Sequence, residues 1–427
     1  MIILSALYFI FGLVSWVNAI LIPYFKFTCE LSEVQSYLVT FAFYIAYLVF
    51  AIPSSIVLNK IGYKKGLTIG LWIMSCGSFL FVPAAYLRNF PLFLSGLFLL
   101  GIGLTLLQSA ANPFVTIVGK KESAASRISF VGFFNKLAGI LSNLLFAAII
   151  MGASSQKIMS DIKSGVYVGL AREQALNKLI QEVIPPYTYL AIILFVFGII
   201  IRFSALPNID ANKNNLPSDN NSKMNSIFQY PNLILGVFAM FFHVGSQMIS
   251  LATVINYAGT MGLELTGMAK NFPSYIMFLT MVGYLLGVTL IPRVISQKNA
   301  LILSTLLNFI LSFLIIFSNR NVHVFGIETN VSIWFLVMMG LPNALIYAGI
   351  WPLAIQGLGK LTNLGSSMLV MGLCGSAIIP LIYSTISVRT DMRTAYWILV
   401  PCFAYLVFYA VYGHKIKSWK FSKKIEL

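Results

Sequence analysis

Charged residues are scarce in this sequence. Asp, Glu, Lys and Arg make up 9% of its 427 residues, where a soluble globular domain carries roughly 25%. Apolar side chains make up 59%, which excludes both a soluble enzyme and a disordered chain. Cysteine is scarce as well. Cys29, Cys76, Cys374 and Cys402 are scattered without C-x-x-C spacing, so no disulfide framework, metal site or redox motif is expected. Carboxylates number 12 against 28 basic residues, a net charge of +16. All twelve (Glu30, Glu33, Glu122, Asp161, Glu173, Glu182, Asp210, Asp219, Glu264, Glu328, Asp391 and Glu426) fall in or beside polar connections, and none lies in the middle of an apolar run. No nucleophile–base pair or metal cluster is visible, so neither an enzyme nor a resident cofactor is expected.

What the sequence does have is long apolar runs. Bounded by charge, Pro, Gly or Asn, twelve lie near 2–24, 36–58, 66–87, 91–118, 128–152, 186–206, 231–257, 271–292, 299–319, 332–358, 364–387 and 394–413. A helix crossing a bilayer needs about 20 apolar residues. In lipid, a run with no partner sheet must be helical to satisfy its own backbone. The first run begins at once, with no basic residue before it and no small-residue cleavage pattern. It reads as a span and not a removed signal peptide. The expectation is an all-α integral membrane protein with 12 transmembrane helices.

Lys and Arg set the orientation. One set of connections holds Lys60, Lys64, Lys65, Lys120, Lys121, Arg127, Lys213, Lys223, Arg293, Lys298 and Lys360, and the tail adds Lys415, Lys417, Lys420, Lys423 and Lys424. The opposite short loops hold only Lys26, Arg88, Lys270, Arg320, Arg389 and Arg393. The richer set belongs inside, so both termini are expected in the cytoplasm. The positive charge thus anchors loops at the bilayer, and no nucleic-acid partner is expected.

Residues 153–185 read as an outside loop with a short surface helix. Residues 207–226 are polar and rich in Asn, Pro and Ser, a flexible cytoplasmic linker. The chain then divides into an N-terminal six-helix half (1–206), the linker (207–230), a C-terminal six-helix half (231–413) and a basic tail (414–427). Six spans plus six about a cytoplasmic linker is the major facilitator superfamily architecture. The loop Asn59-Lys60-Ile61-Gly62-Tyr63-Lys64-Lys65-Gly66 resembles that superfamily's short loop between spans 2 and 3, with Asn59 where an Asp is usual.

Polar groups inside a span cost free energy unless they are paired or face water. Ser15 and Asn18 stand three apart in span 1, with Trp16 beside them. Thr105, Gln108, Ser109 and Asn112 share one helix face in span 4. Ser129, Gly132, Lys136, Gly139 and Asn143 form a stripe in span 5, with Asn135 adjacent. His243, Ser246, Gln247 and Ser250 repeat the spacing in span 7, and Asn343, Tyr347 and Trp351 do so in span 10. Tyr37, Thr40, Tyr44 and Tyr47 give span 2 an aromatic face. Ser, Thr and Gly at such positions pack helices together; the amides and rings read as the lining of a water-filled cavity.

Amides offer paired donors and acceptors, and aromatic faces stack on the C–H face of a sugar ring. The constellation therefore suits a neutral, hydroxyl-rich ligand. The expected substrate-binding residues are Asn18, Gln108, Asn112, Asn135, His243, Gln247, Asn343, Tyr347 and Trp351, around a cavity lined from spans 1, 4, 5, 7, 8 and 10. Lys136 and His243 are the mid-span ionisable groups. Lys136 lies nine residues past Arg127, roughly 14 Å along a helix. Gln108 lies eleven residues before Gly119, roughly 17 Å from the same face. The two are expected to share a depth and to hydrogen-bond.

Several of these segments carry a family resemblance. Asn18-Ala19-Ile20-Leu21-Ile22-Pro23, Gln108-Ser109-Ala110-Ala111-Asn112-Pro113-Phe114, Trp351-Pro352-Leu353-Ala354 through Gly357-Leu358-Gly359-Lys360, and Gly365-Ser366-Ser367 resemble the fucose permease-type sugar transporters. The similarity spans essentially the whole chain. The Asn18 and Asn135-Lys136 patterns look closest to the glucose, galactose and N-acetylglucosamine branch. The resemblance implies a proton- or sodium-coupled symporter of the inner membrane, moving a neutral hexose, deoxyhexose or N-acetylhexosamine; a monomer is expected. It also implies a sugar contact at Asn135. Where the family pattern has an Asp and a Glu for proton coupling, this sequence has Ala19 and Gln108, so that role does not transfer. Lys136 and His243 remain as coupling candidates, beside sodium held by carbonyl and amide oxygens. The alternatives are a facilitative uniporter and an exporter of another small solute.

Overall fold

The computed structural model describes residues 2–117, 121–150, 152–204, 226–263, 268–324 and 326–419. The side chains of residues 18–20, 33, 113, 114, 116, 117, 121, 143, 147, 268 and 360 lie outside that description. So do residues 207–225 of the expected linker and 420–427 of the tail.

Among the described residues, twelve apolar helical stretches are long enough to cross a bilayer. They are Ile2–Thr28 (span 1), Leu38–Ile61 (span 2), Tyr63–Tyr86 (span 3), Phe90–Asn112 (span 4), Ala124–Ile150 (span 5), Gly169–Phe203 (span 6), Pro231–Gly259 (span 7), Ala269–Leu290 (span 8), Gln297–Phe317 (span 9), Val331–Ala354 (span 10), Thr362–Arg389 (span 11) and Met392–Lys415 (span 12). In span 6 the apolar helix itself is Ile184–Phe203. The twelve expected runs are thus twelve helices, because a bilayer leaves the backbone no other partner than its own helix.

Several spans are two helices in series. Span 1 breaks between Ile2–Trp16 and Asn18–Thr28. Span 10 breaks between Val331–Met338 and Gly340–Ala354. Span 11 turns through a short 3₁₀ segment, Gly372–Cys374.

Spans 1–6 pack mainly on one another, span 1 on span 5 and span 4 on spans 2 and 3. Spans 7–12 do likewise, span 7 on spans 11 and 12 and span 10 on spans 8 and 9. The two sets meet where span 5 lies against spans 8 and 10, and where span 11 lies against spans 2 and 4. Twelve crossings bring the two ends of the described chain to one face of the bundle. On that face the sets are pinned together: the Tyr63 hydroxyl donates to Asn363 Oδ1, and the Ala125 N–H donates to Gln297 Oε1 at 3.0 Å.

On the opposite face the structure holds two surface helices where the sequence suggested one, Ala153–Lys163 and Gly169–Gln181. They fold onto the end of span 1. Tyr24 donates to the Leu179 carbonyl, Glu30 is paired with both Arg88 and Arg172, and Leu176 and Leu179 pack with Phe27. A hairpin of Asn321–Val324 and Ile327–Asn330 joins spans 9 and 10, with His323 opposite Glu328. Strands of four residues are too short for their alternation to stand out in the sequence.

Candidate substrate cavity

A cavity of about 100 Å³ lies between the two sets of six, lined from spans 1, 2, 4, 5, 7, 8, 10 and 11. A single water needs about 10–15 Å³ on this measure, so the space suits a small solute with its hydration.

Span 5 builds one wall. A Cβ at Gly139 would sit 2.7 Å from Trp16 Cδ1, and one at Gly132 would sit 2.7 Å from Tyr284 Cζ. The two bare positions let the Trp16 and Tyr284 rings lie directly against the helix that carries Lys136. The Lys136 ammonium stands 3.3 Å from the centre of the Trp16 ring. The residue is 2% exposed; among the described residues no carboxylate pairs with it, the ion pairs being those of Glu30. A desolvated cation–π contact contributes about 2 kcal/mol, while burying an ion costs several. The ring offsets only part of that cost.

Asn135 holds the ring in place. Trp16 Nε1 donates to Asn135 Oδ1 at 2.9 Å, and Asn135 Nδ2 donates to the Tyr8 carbonyl at 3.1 Å. The Tyr8 hydroxyl donates to Asn112 Oδ1. Asn112 Nδ2 donates to the Tyr347 hydroxyl at 3.3 Å, carrying the network from span 4 to span 10. Gln108 Nε2 donates to the Tyr47 hydroxyl at 3.0 Å, and Tyr47 stacks on Tyr44 with ring centres 5.8 Å apart. Gln247 lines the cavity from span 7 and Tyr284 from span 8. Among the described residues, neither the Gln247 amide nor the Tyr284 hydroxyl has a hydrogen-bond partner.

Of the expected substrate-binding and coupling residues, Gln108, Asn135, Lys136, Gln247 and Tyr347 line the cavity, as do Ser15, Trp16, Tyr44, Tyr47 and Gly132 of the polar and aromatic stripes. Asn112 stands behind the lining, held by Tyr8 and Tyr347. His243, Asn343 and Trp351 are fully buried and are not brought to the cavity wall. The His243 ring centre is 6.4 Å from that of Tyr347 and the Trp351 ring centre 5.9 Å, while Asn343 Oδ1 accepts from Asn308 Nδ2 at 2.8 Å. The side chain of Asn18 lies outside the described residues. The expected Gln108–Lys136 hydrogen bond is corrected: Gln108 turns to Tyr47 and Lys136 to the Trp16 ring, because equal depth along two helices does not fix which neighbour each side chain meets.

Spans 2 and 11 also reach the cavity, through Tyr44, Tyr47, Leu373 and Ser376. Tyr8 and Tyr284 were not read from the sequence. Tyr8 precedes Ser15 and Trp16 by two helical turns, a spacing that places it on their face; Tyr284 stands alone in an apolar run and carries no such signal.

The sequence profile of the Major Facilitator Superfamily matches residues 4–380. The chain belongs to this superfamily. Within it, the chain is 31% identical to a glucose/galactose transporter of Brucella abortus over 415 residues, 96% of this chain and 93% of the relative. It is 28% identical to an L-fucose-proton symporter of Escherichia coli over 420 residues, 95% and 91% of the two chains. Among solved structures, the superfamily transporter FucP in the outward conformation matches with a TM-score of 0.74 at 27% identity, covering 96% of this chain and 97% of that one. The resemblance to fucose permease-type transporters and the superfamily fold are therefore borne out, and these relatives are transporters, not enzymes.

Proposed function

We propose that this protein moves a monosaccharide across the inner membrane by alternating access, in symport with a proton or sodium ion. The observation that carries the reading is the cavity between the two sets of six, where the amides of Gln108, Asn135 and Gln247 share a lining with the rings of Trp16, Tyr44, Tyr47, Tyr284 and Tyr347. An amide presents a donor and an acceptor side by side, which matches neighbouring hydroxyls. The ring faces match the C–H face of a pyranose. Glucose/galactose and L-fucose-proton transport among the relatives supports both the solute class and the coupling. The cavity is lined by residues of a single chain, which supports a monomer as the transporting unit. A site between two helical sets lets them rock about a fixed centre.

The bias of Lys and Arg among the connections supports an orientation with both termini in the cytoplasm. A reporter active only in the cytoplasm will give signal when fused after Lys424 and none when inserted within 153–185. The opposite pattern would invert the orientation.

The function is tested by monosaccharide uptake into proteoliposomes under a proton gradient, a sodium gradient and neither. Saturable uptake, with accumulation under one of the two gradients, is expected; no saturable uptake of any monosaccharide would overturn the reading. Accumulation under neither gradient, with saturable equilibration, would replace symport by uniport. Gln108→Ala and Asn135→Ala each remove hydrogen-bonding capacity worth about 0.5–1.5 kcal/mol per bond, so affinity falls roughly 2- to 10-fold. Wild-type affinity in both variants would remove these amides from the site.

A further inference from the structure

The cavity wall carries one amine. Lys136 lines the cavity and is 2% exposed. Among the described residues its Nζ meets the Trp16 ring at 3.3 Å and donates to no protein oxygen. A ring face attracts a cation, but it has no oxygen lone pair for the three N–H donors of an ammonium. A neutral amine asks for less: it has two N–H groups, a lone pair and no charge to bury.

The neighbours leave the amine to itself. Span 5 packs against spans 1, 4, 8 and 10. The titratable groups facing Lys136 from them are Tyr8 of span 1, Tyr284 of span 8 and Tyr347 of span 10; span 4 carries none and presents Gln108. Tyr44 and Tyr47 of span 2 complete the lining. These are phenols, uncharged at neutral pH. On span 5 itself the other charge is Arg127, nine residues away, whose Nε donates to the Val115 carbonyl at 3.0 Å. His243 is fully buried behind Tyr347 and does not reach the wall. Lys136 is therefore the group at the cavity that can exchange a proton near neutral pH and touch the solute.

A neutral monosaccharide brings what the wall withholds, a set of hydroxyl oxygens that accept from N–H. Its oxygens hold an ammonium better than an amine. Sugar and proton then bind together, and by linkage each strengthens the other to the same degree.

We propose that the coupling ion is a proton and that Lys136 Nζ carries it. This rests on the reading of the protein as a coupled monosaccharide transporter, and it chooses between the two ions that reading allows. With the cavity open to the outside, the Nζ lone pair takes a proton from a hydronium ion as the sugar binds. With the cavity open to the cytoplasm, the sugar leaves and the N–H bond returns its proton to water. One sugar and one proton cross per cycle, and no carboxylate is needed.

The test is titration calorimetry of the purified full-length protein with galactose, glucose, L-fucose and N-acetylglucosamine in turn, each in two buffers of different ionisation heat. At least one sugar is expected to bind with uptake of up to one proton, at a pH between about 6 and 9, below the titration of an ordinary lysine. Its affinity should fall as pH rises, by up to about tenfold per pH unit, the limit for one linked proton. Lys136→Met has no proton to exchange, and Lys136→Arg keeps its proton at every working pH. Both should bind sugar without proton uptake and lose accumulation under a proton gradient in proteoliposomes. Sugar binding without proton uptake by the wild-type protein, or accumulation driven by sodium alone, leaves the monosaccharide site standing and overturns this inference. Proton uptake that survives in Lys136→Met or Lys136→Arg places the carrier elsewhere and overturns it as well. If none of the four sugars binds, the monosaccharide reading itself fails. Lys136→Arg keeps the length and charge of the side chain and decides the matter if Lys136→Met does not fold.

Discussion

Trp16→Ala will abolish saturable uptake, and Trp16→Phe will only weaken it. The ring serves three neighbours at once. It lies 3.3 Å from the Lys136 ammonium, its Nε1 donates to Asn135 Oδ1 at 2.9 Å, and it fills the space that Gly139 leaves open. Truncation to alanine opens a void, and Trp→Ala changes in packed interiors cost about 3–5 kcal/mol. It also removes the cation–π contact, about 2 kcal/mol when desolvated. The wall that Trp16 builds against Gly139 then loses its shape, and affinity should fall by more than about 100-fold, the equivalent of roughly 3 kcal/mol. Phenylalanine keeps a ring under Lys136 and forfeits one hydrogen bond, about 0.5–1.5 kcal/mol. Initial uptake rates in proteoliposomes, corrected for folded protein by size-exclusion chromatography, should rank wild type above Trp16→Phe above Trp16→Ala. Undiminished uptake in Trp16→Ala would remove this ring from the site.

The second large effect is on the scaffold. A Cβ at Gly12 would stand 2.1 Å from the Asn135 carbonyl oxygen and 2.9 Å from Ala138 Cβ. The first obstacle is backbone and cannot rotate away. Gly12→Val must therefore push span 1 off span 5, and small residues at such crossings are what lets membrane helices approach. The displacement stretches the three hydrogen bonds that join the two helices, Trp16 to Asn135, Asn135 to Tyr8 and Ser142 to Leu13. Overpacking costs about 1–3 kcal/mol and occasionally more. The variant should melt at a lower temperature than wild type in the same detergent and lose uptake with it. An unchanged melting temperature would mean that the two spans are not in contact at this point.

The span count is legible because lipid forces each crossing to be one long apolar run with an internally bonded backbone. The interruptions are not. Nothing in the run around Trp16 and Val17 announces the break between Ile2–Trp16 and Asn18–Thr28, since a neighbouring helix can take up a freed backbone group. The surface helices Ala153–Lys163 and Gly169–Gln181 are polar and carry no long apolar run, so the apolar-run rule has no force there.

The site divides in the same way. Helical spacing tells which residues share a face, and the stripe of Gly132, Lys136 and Gly139 becomes the wall that receives Tyr284 and Trp16. Spacing does not tell what faces the stripe. Asn343, Tyr347 and Trp351 share one face of span 10, yet only Tyr347 lines the cavity, while Asn343 meets Asn308 from span 9. The pairing of Lys136 with Trp16 joins two helices that are far apart in sequence, so no local pattern could carry it.

The central claim, that solute crosses through this cavity, is tested most directly by a cysteine at its wall. In a protein with Cys29, Cys76, Cys374 and Cys402 replaced by serine or alanine, Gln247→Cys places one thiol beside the Lys136 pocket. The rate of its alkylation by a small maleimide should fall as the transported monosaccharide is added, following the same concentration curve as uptake. Alkylation at an unchanged rate while uptake saturates would show that the solute passes elsewhere.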